Sequence, residues 1–167
     1  MGNLINSFKL IKRIFKHKYY VAKYCFQIGL YWQGITHDLS KFSWIEFSRA
    51  VKYWDDNRSS LSNERSILGF SRTFLHHRGR NPHHYEYWIY ALDRGGKPAP
   101  MPYKYVLELI CDYLGAAITY GADPRKEIEW WEENEANMLI HPDTKTLITI
   151  VLYNYSQGKS LKDSLVI

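Results

Sequence analysis

Apolar residues recur at intervals of three and four over the first 28 residues, and this spacing constrains the fold more strongly than any other feature of the sequence. An α-helix turns once every 3.6 residues, so such spacing places apolar side chains on one helical face. The sequence therefore predicts a helix over residues 4–28, which Gly29 ends. Its apolar positions are Leu4, Ile5, Phe8, Ile11, Phe15, Tyr19, Ala22 and Phe26.

Helical spacing continues through the remainder of the chain, and the alternation typical of β-strands is almost absent. A length of 167 residues suits one domain with its own core. The sequence accordingly predicts an all-α, single-domain bundle of about six to eight helices over residues 1–167. The later predicted helices cover about residues 31–39, 43–54, 64–77, 103–120, 124–137 and 144–155, with loops over 55–63 and 93–102.

Two capping patterns refine this arrangement. The run 43–46 has the sequence S-x-x-E of a capping box and should begin the third helix. Asn81 is a favourable N-cap and Pro82 suits a first helical position, so a further helix is predicted to begin here. Its first turn would carry His83 and His84, where the helix dipole keeps an imidazole neutral and available as a ligand.

The charge balance is moderately basic, with 22 Lys and Arg residues against 17 Asp and Glu residues and a net charge of +5. This balance suits a phosphate-bearing substrate but is too mild to indicate nucleic-acid binding. A solvated helix face is the simpler explanation of the basic residues near the start. These are Lys9, Lys12, Arg13, Lys16, Lys18 and Lys23.

The two cysteines, Cys25 and Cys111, each lie within an apolar helical pattern and are predicted to be small core residues. No C-x-x-C spacing is present, which excludes a zinc ribbon. The sequence has no apolar run of signal-peptide length at its start and none of transmembrane length. We therefore expect a cytoplasmic protein.

Most of the histidines lie on predicted helices or at their ends, together with two aspartates. An imidazole beside a carboxylate, as in the pair His37 and Asp38, is a good set of ligands for a divalent metal. If the first two helices fold back at Gly29, His17 can reach the level of His37. Alternatively, the later histidines occupy turns and the later aspartate bonds a neighbouring Tyr or Trp. The full set of candidates is His17, His37, Asp38, His76 or His77, His83, His84 and Asp112.

A helical histidine, a His-Asp pair twenty residues later and a later helical aspartate resemble the ligand pattern of the HD-domain metal-dependent phosphohydrolase superfamily. The run His37–Lys41 is similar to the H-D-[IL]-G-K signature, with Ser40 in place of the usual Gly. The additional histidines, including an adjacent pair, resemble the branches that bind two metals, although the step from His77 to His84 is shorter here. The resemblance implies an HD-like helical domain.

A second resemblance covers most of the chain. The runs HDLSKFS, RNPHHYEYW, DYLGA and LIHPDT together resemble a family of small, functionally uncharacterised bacterial and phage proteins. That family brings no established activity with it. The functional expectations therefore follow from the first resemblance and from the residues themselves.

By position, the HD resemblance implies one or two divalent ions per chain, drawn from Mn, Fe, Co, Ni and Zn. We prefer His77 to His76 as a ligand, because His76 lies nearer the apolar positions that precede it. The implied primary ligands are His17, His37, Asp38 and Asp112, and the implied ligands of a second metal or of the substrate are His77, His83 and His84.

Three further side chains have expected roles around the metal. Lys41, one turn after Asp38, either contacts a substrate phosphate, holds the carboxylate or is an ordinary exposed lysine. Arg80 is either a phosphate clamp, since guanidinium matches phosphate with two hydrogen bonds, or a solvated loop residue. Glu86 is a candidate partner that orients His83 or a water molecule.

The expected activity is hydrolysis of a phosphoester in a nucleotide or another small phosphorylated metabolite, with Asp38 and Lys41 as catalytic residues. A bound metal lowers the pKa of water from about 15.7 towards about 7 and so supplies hydroxide. Asp38 would bridge two metals or accept the proton. One alternative is an HD-fold di-iron oxygenase. Another is a non-catalytic module whose basic first helix binds nucleic acid or a membrane surface, and the oligomeric state stays open.

Overall fold

Helices make up most of the described chain, which confirms the predicted all-α bundle. The computed structural model describes residues 2–166, including their side chains except at positions 2, 3 and 92. None of the helices described combines the length and the apolar composition needed to cross a membrane. The helices are α1 (Gly2–Gln27), α2 (Tyr31–Thr36), α3 (Trp44–Lys52), α4 (Ser60–Leu68), α5 (Arg72–Arg78), α6 (Tyr103–Tyr120), α7 (Glu127–Asn134), α8 (Pro142–Ser156) and α9 (Leu161–Ser164).

The core is built around α6, which is apolar over most of its circumference. α1 packs along α6, and α7 and α8 cover further sides of it. Trp131 of α7 and Ile148 of α8 are fully buried in this core. Cys25 and Cys111 are fully buried there as well, which confirms the prediction for both. The core residues of α6 are Val106, Leu107, Leu109, Ile110, Cys111, Leu114 and Ala117.

α1 and α6 approach closely at Gly115, where no side chain separates them. A Cβ atom on Gly115 would lie 2.6 Å from Val21 Cγ2 and 3.0 Å from the Val21 nitrogen. His17 lies about one turn before Val21, and Asp112 lies about one turn before Gly115. The His17 and Asp112 side chains meet between these two helices, where His17 Nε2 lies 3.0 Å from Asp112 Oδ1.

The apolar spacing that predicts α1 marks its solvent side rather than its core side. Phe8, Phe15 and Tyr19 are 67%, 58% and 63% exposed. A second set of α1 side chains, spaced at the same intervals, faces the core instead. Periodicity thus predicted the helix, whereas packing decided which stripe is buried. The buried set is Leu10, Ile14, His17, Val21, Tyr24 and Cys25.

The second helix is shorter than predicted, and this correction concerns the central His-Asp pair. α2 ends at Thr36, His37 is its C-cap, and Asp38 has a left-handed backbone with a φ of 58°. Successive side chains on an α-helix diverge by about 100°, so a continued helix would direct one of the pair away from the interior. The left-handed turn allows both side chains to be buried.

The predicted fourth helix is in fact two helices, α4 and α5. Gly69 ends α4 in the left-handed region with a φ of 78°. Ser71 then begins α5 by accepting a hydrogen bond from the Phe74 N–H at 3.0 Å, while its hydroxyl donates to Glu64 at 2.6 Å. α4 also starts at Ser60, inside the predicted loop 55–63. This division and the short α9 raise the number of described helices to nine.

The predicted helix that begins at Asn81 and Pro82 is wrong. The segment forms a turn, in which the His84 N–H donates to the Asn81 carbonyl at 3.0 Å. The Asn81 side chain does not cap a helix, because its amide donates to the His77 carbonyl at 2.7 Å. The turn brings the rings of His83 and His84 to 4.5 Å between centroids, closer than a 100° divergence on a helix would favour.

A short hairpin follows this turn and lies partly in the predicted loop 93–102. After a 3₁₀ turn over Tyr85–Trp88, strand β1 (Ile89–Tyr90) pairs antiparallel with β2 (Lys97–Pro98). The Trp88 indole N–H donates to the Pro82 carbonyl at 2.7 Å and so ties the hairpin to the histidine turn.

We expect Gly115→Ala to lower the free energy of unfolding by about 1–3 kcal/mol, because the added methyl group forces α1 and α6 apart. The measurement is urea denaturation followed by circular dichroism. Gly79→Ala is the matched control, because a Cβ atom there meets nothing closer than 3.4 Å. It should change stability by less than about 0.5 kcal/mol. Equal effects of the two variants would contradict the close helix contact.

Candidate metal centre

The first group of candidate ligands joins α1, the turn after α2, and α6. His17 Nε2 lies 3.0 Å from Asp112 Oδ1, 3.4 Å from His37 Nε2 and 3.5 Å from Asp38 Oδ2. His37 Nε2 lies 3.4 Å from Asp38 Oδ2 and 3.5 Å from Asp112 Oδ1. A tetrahedron with ligand bonds of about 2.1 Å has edges of about 3.4 Å. These four donor atoms could therefore hold one divalent ion.

The second group lies on the other side of Asp38. His77 Nε2 and His83 Nε2 lie 3.1 Å and 3.5 Å from Asp38 Oδ1, and His84 completes the group. Despite these short distances, Asp38 Oδ1, His83 Nε2 and His84 Nε2 are buried and make no hydrogen bond of good geometry with the described residues. Buried polar atoms without partners are costly, and three of them converge here. This donor set fits a second divalent ion.

Asp38 is the carboxylate that the two groups share. Its Oδ2 atom faces the first group and its Oδ1 atom faces the second. The side chain is 1% exposed, and its backbone adopts a positive φ that is uncommon for a residue with a Cβ atom. Strained backbone of this kind is typical of functional sites.

Glu108 of α6 orients one histidine of each group. Its Oε1 atom lies 3.1 Å from His37 Nδ1 and 3.2 Å from His83 Nδ1. A carboxylate can only accept, so Nδ1 of each imidazole carries the proton. With that proton in place, Nε2 of the neutral ring is free to act as a ligand, which is the usual carboxylate–histidine–metal arrangement. Glu108, His37 and His83 form a third group that could hold an ion.

Glu46 of α3 orients His77 in the same way. Its two oxygens lie 2.8 Å from His77 Nδ1 and 2.8 Å from His76 Nδ1. His76 is therefore held beside Glu46, and its Nε2 accepts from Arg80 Nε at 2.7 Å. The structure brings His77, rather than His76, to the Asp38 carboxylate.

Two lysines approach the same centre from different sides. Lys41 Nζ contacts Asp38 Oδ2 at 2.5 Å, so the expectation that this lysine holds the carboxylate agrees with the geometry. Lys18 of α1 donates to the His37 backbone carbonyl and so ties the turn after α2 to α1. Burial lowers the pKa of Lys18 from its ordinary value.

The aspartates at the centre are held in their charged form. Burial by itself would raise the pKa of Asp38, but His37 and Lys41 outweigh it and hold that pKa well below the ordinary value. Burial also opposes ionisation of Asp112, yet hydrogen bonds from His17 and His37 hold its pKa well below the ordinary value. Negative charge is thus concentrated in a buried place that needs cations.

The pKa values of the imidazoles in this site shift in opposite directions. Burial alone would lower the pKa of His37 and of His77, but the Asp38 carboxylate outweighs it. The pKa of His37 is raised well above its ordinary value, and that of His77 is raised to about 9. Burial, together with the nearby His83 and His77, holds the pKa of His84 well below its ordinary value. His84 is therefore neutral at pH 7.

A cavity of about 190 Å³ lies beside both groups. Helices α1, α3 and α6 and the start of α4 form its walls, and these walls are mostly apolar away from the candidate ligands. The polar side of the cavity carries donor residues of both groups together with Lys41. These residues are His17, Asp38, Lys41, Glu46, His77, His84 and Asp112.

The two remaining predicted residues lie outside this cavity. Arg80 is engaged with His76 and is absent from the described residues that line the cavity. Glu86 was predicted to orient His83 or a water molecule. Its Oε2 atom instead lies 3.9 Å from Nδ1 of the adjacent His84. Burial raises the pKa of Glu86.

Sequence reasoning missed Glu46 and Glu108 as parts of the site. Glu46 was assigned to the capping box, and its N–H does donate to Ser43 Oγ at 3.4 Å. Its carboxylate, however, turns to the histidines. Glu108 lies on α6 one turn before Asp112, and two acidic residues at this spacing within an apolar helix were the available signal.

The fold and the site define an all-α protein with buried His, Asp and Glu groups that could hold a metal ion. Over residues 6–154 the chain matches the model of DUF5662, a family of unknown function. The match covers most of the chain, which therefore belongs to this family. No curated protein and no solved structure matches it.

We expect Glu108→Gln to weaken the binding of Mn²⁺ or Zn²⁺ by about 10–100-fold, because the amide oxygen no longer holds both imidazoles as a carboxylate does. Isothermal titration calorimetry measures the affinity. Glu129→Gln, an exposed change on α7, is the control. Unchanged affinity in Glu108→Gln would contradict the orienting role.

Glu46→Gln should affect the second group selectively, because Glu46 bonds His77 and none of the first group. We expect the number of ions bound per chain, measured by elemental analysis after equilibrium dialysis, to fall from two to one. Loss of both ions, or of neither, would contradict this division.

Proposed function

We propose that this protein is a metal-dependent hydrolase of phosphoesters, with an HD-like ligand set and a nucleotide or another small phosphorylated metabolite as substrate. The observation that carries the proposal is the Asp38 carboxylate, which faces two groups of imidazole and carboxylate donors beside a cavity. Such mixed nitrogen and oxygen donors suit Mn, Fe, Co, Ni or Zn.

The proposed ligands of the first ion are His17, His37, Asp38 and Asp112, and those of the second are Asp38, His77, His83 and His84. Ions held there would supply Lewis acidity and would lower the pKa of water to about 7. Glu108 and Glu46 hold the imidazoles in the required tautomer, as described above.

Lys41 is the proposed contact for the phosphoryl group. Its ammonium contacts the Asp38 carboxylate at 2.5 Å, and its side chain lines the cavity. Burial would lower its pKa, but Asp38 and Asp112 raise that pKa above the ordinary value, so the side chain stays charged. A fixed positive charge in a buried site stabilises the charge that develops on phosphoryl oxygens.

The cavity sets limits on the substrate. Among the described residues that line the cavity, Arg13 is the other Lys or Arg side chain, and its guanidinium is already bonded to the Asp55 and Arg58 carbonyls at 2.9 Å. The mostly apolar walls and the volume of about 190 Å³ suit the organic part of a compact ester. One phosphoryl group next to the ligands suits this charge distribution.

The shared carboxylate also supports a second candidate, a di-iron oxygenase on the same ligands. Carboxylate bridges between imidazole-rich groups suit a pair of iron ions. The two candidates differ in their need for oxygen. A hydrolase turns over with Mn²⁺ under anaerobic conditions, whereas an oxygenase needs Fe²⁺ and consumes O₂.

We expect the purified protein loaded with Mn²⁺, Co²⁺, Ni²⁺ or Fe²⁺ to release inorganic phosphate or a nucleoside from one member of a panel of phosphoesters and nucleotides. Asp38→Ala should abolish turnover, because it removes the shared ligand. Lys41→Ala should lower kcat by about 100-fold, the typical effect of losing one charge-stabilising group.

Lys52→Ala, an exposed change at the end of α3, is the control for Lys41→Ala and should leave kcat unchanged. Turnover equal to that of Asp38→Ala across the whole panel would overturn the hydrolase proposal. Turnover that requires both Fe²⁺ and O₂ would replace it with the oxygenase.

A further inference from the structure

An exposed surface of aromatic and basic residues extends over α1, α2 and the turn that follows. The apolar side chains of this surface are between 42% and 72% exposed. We name it the aromatic–basic face. It consists of Phe8, Lys12, Phe15, Tyr19, Lys23 and Phe26 of α1, Tyr31, Trp32 and Ile35 of α2, and Phe42 of the 3₁₀ turn Leu39–Phe42 that follows α2.

The α1 part of the face is one narrow stripe. At about 100° per residue, its six members fall within a sector about 80° wide. The buried stripe, which includes Ile14 and Val21, lies on the opposite side of the helix. α1 is thus apolar on two sides, and the core of this chain accounts for one of them.

α2 extends the same surface. A Cβ atom on Gly34 would lie 2.8 Å from a ring carbon of Phe26, so α2 lies directly on α1 and presents Trp32 outward. The rings of Phe26 and Tyr31 are 5.5 Å apart. The rings of Phe15 and Phe42 are 5.8 Å apart, which links α1 to the 3₁₀ turn after α2. The face is therefore continuous across three elements.

The charged side chains on this face are all basic. Residues 1–37 include no Asp or Glu. Lys12 and Lys23 are exposed and have no ion-pair partner among the described residues. The neighbouring cations of α1 are turned to acceptors within the chain, namely Lys9 to Asp56, Arg13 to backbone carbonyls of 55–58, Lys16 to the Thr119 carbonyl and Lys18 to the Ile35 and His37 carbonyls.

We propose that the aromatic–basic face docks on the surface of an anionic lipid bilayer. A helix with Phe and Trp on one side and lysines among them lies in the interfacial plane, where its apolar rings enter the headgroup boundary. Trp and Tyr are favoured at this depth because each ring has an apolar body and a polar atom. Lys12 and Lys23 would contact anionic headgroups.

The charge distribution disfavours the two other occupants of such a face. A second copy of the chain in a two-fold dimer would bring the same surface, with the same two lysines and no acidic residue to pair with them, against this face. A nucleic acid requires several phosphate-binding cations, and this face offers two that are unpaired. An anionic surface that also accepts aromatic rings matches both features.

The test is co-sedimentation of the full chain with lipid vesicles. We expect binding to vesicles of phosphatidylcholine mixed with phosphatidylglycerol. Partition should be at least about tenfold weaker on phosphatidylcholine alone, and it should fall at high salt as the lysine contribution is screened. No binding to the mixed vesicles would overturn the proposal.

Two pairs of variants separate this face from the rest of the surface. The double variant Phe15→Ser with Trp32→Ser should weaken partition at least about tenfold. Its control is Tyr90→Ser with Tyr153→Ser, which removes two aromatic rings of similar exposure on β1 and α8. Equal effects of the two double variants would overturn the proposal.

The second pair of double variants tests whether the position of the lysines matters, because both double variants have the same net charge. Lys12→Glu with Lys23→Glu should abolish binding to the mixed vesicles, whereas Lys126→Glu with Lys162→Glu should preserve it. All four lysines are exposed, so each variant should fold, which circular dichroism checks. Two further outcomes would replace the bilayer as the occupant. One is a dimer in light scattering that the face variants dissociate, and the other is saturable oligonucleotide binding that they abolish.

Discussion

The buried carboxylate of Asp38 is the group on which the candidate site depends. Removing a charge from water is costly unless cations and hydrogen bonds surround it. Here the surrounding groups come from separate parts of the chain. They are His17 on α1, His37 directly before Asp38, Lys41 on the turn that follows Asp38, and His77 on α5. The site can therefore form only when these elements pack together. At Asp38 itself, this arrangement requires a backbone with a positive φ.

Two outer carboxylates, those of Glu46 and Glu108, fix the orientation of the imidazoles in this cluster. Glu108 links His37 with His83, and Glu46 holds His77. Because a carboxylate only accepts, each contact places a proton on Nδ1 and directs Nε2 inward. The two groups around Asp38 are thereby coupled through α6, so a shift of that helix would alter both. The close approach of α1 and α6 at Gly115 resists such a shift.

Sequence reasoning anticipated which candidate residues come together better than it predicted the elements that carry them. His77, His83 and His84 lie in the second group as expected, although the helix predicted to carry the last two is a turn. That helix was predicted from the local preferences of Asn81 and Pro82, whereas the Asn81 amide donates to the His77 carbonyl of α5 and, in a tertiary contact, to the Ser40 hydroxyl at 2.8 Å. Tertiary hydrogen bonds outweigh capping preferences of about 1 kcal/mol.

The sequence by itself determined that the chain is helical and which residue types could hold a metal, because both follow from spacing and side-chain chemistry. It did not determine which of the two apolar stripes of α1 faces the core, since both have the same period. Nor did it identify Glu46 and Glu108, whose partners lie far along the chain. Tertiary structure decided these points, because burial and orientation depend on which helices pack together. Local periodicity carries no information about that choice.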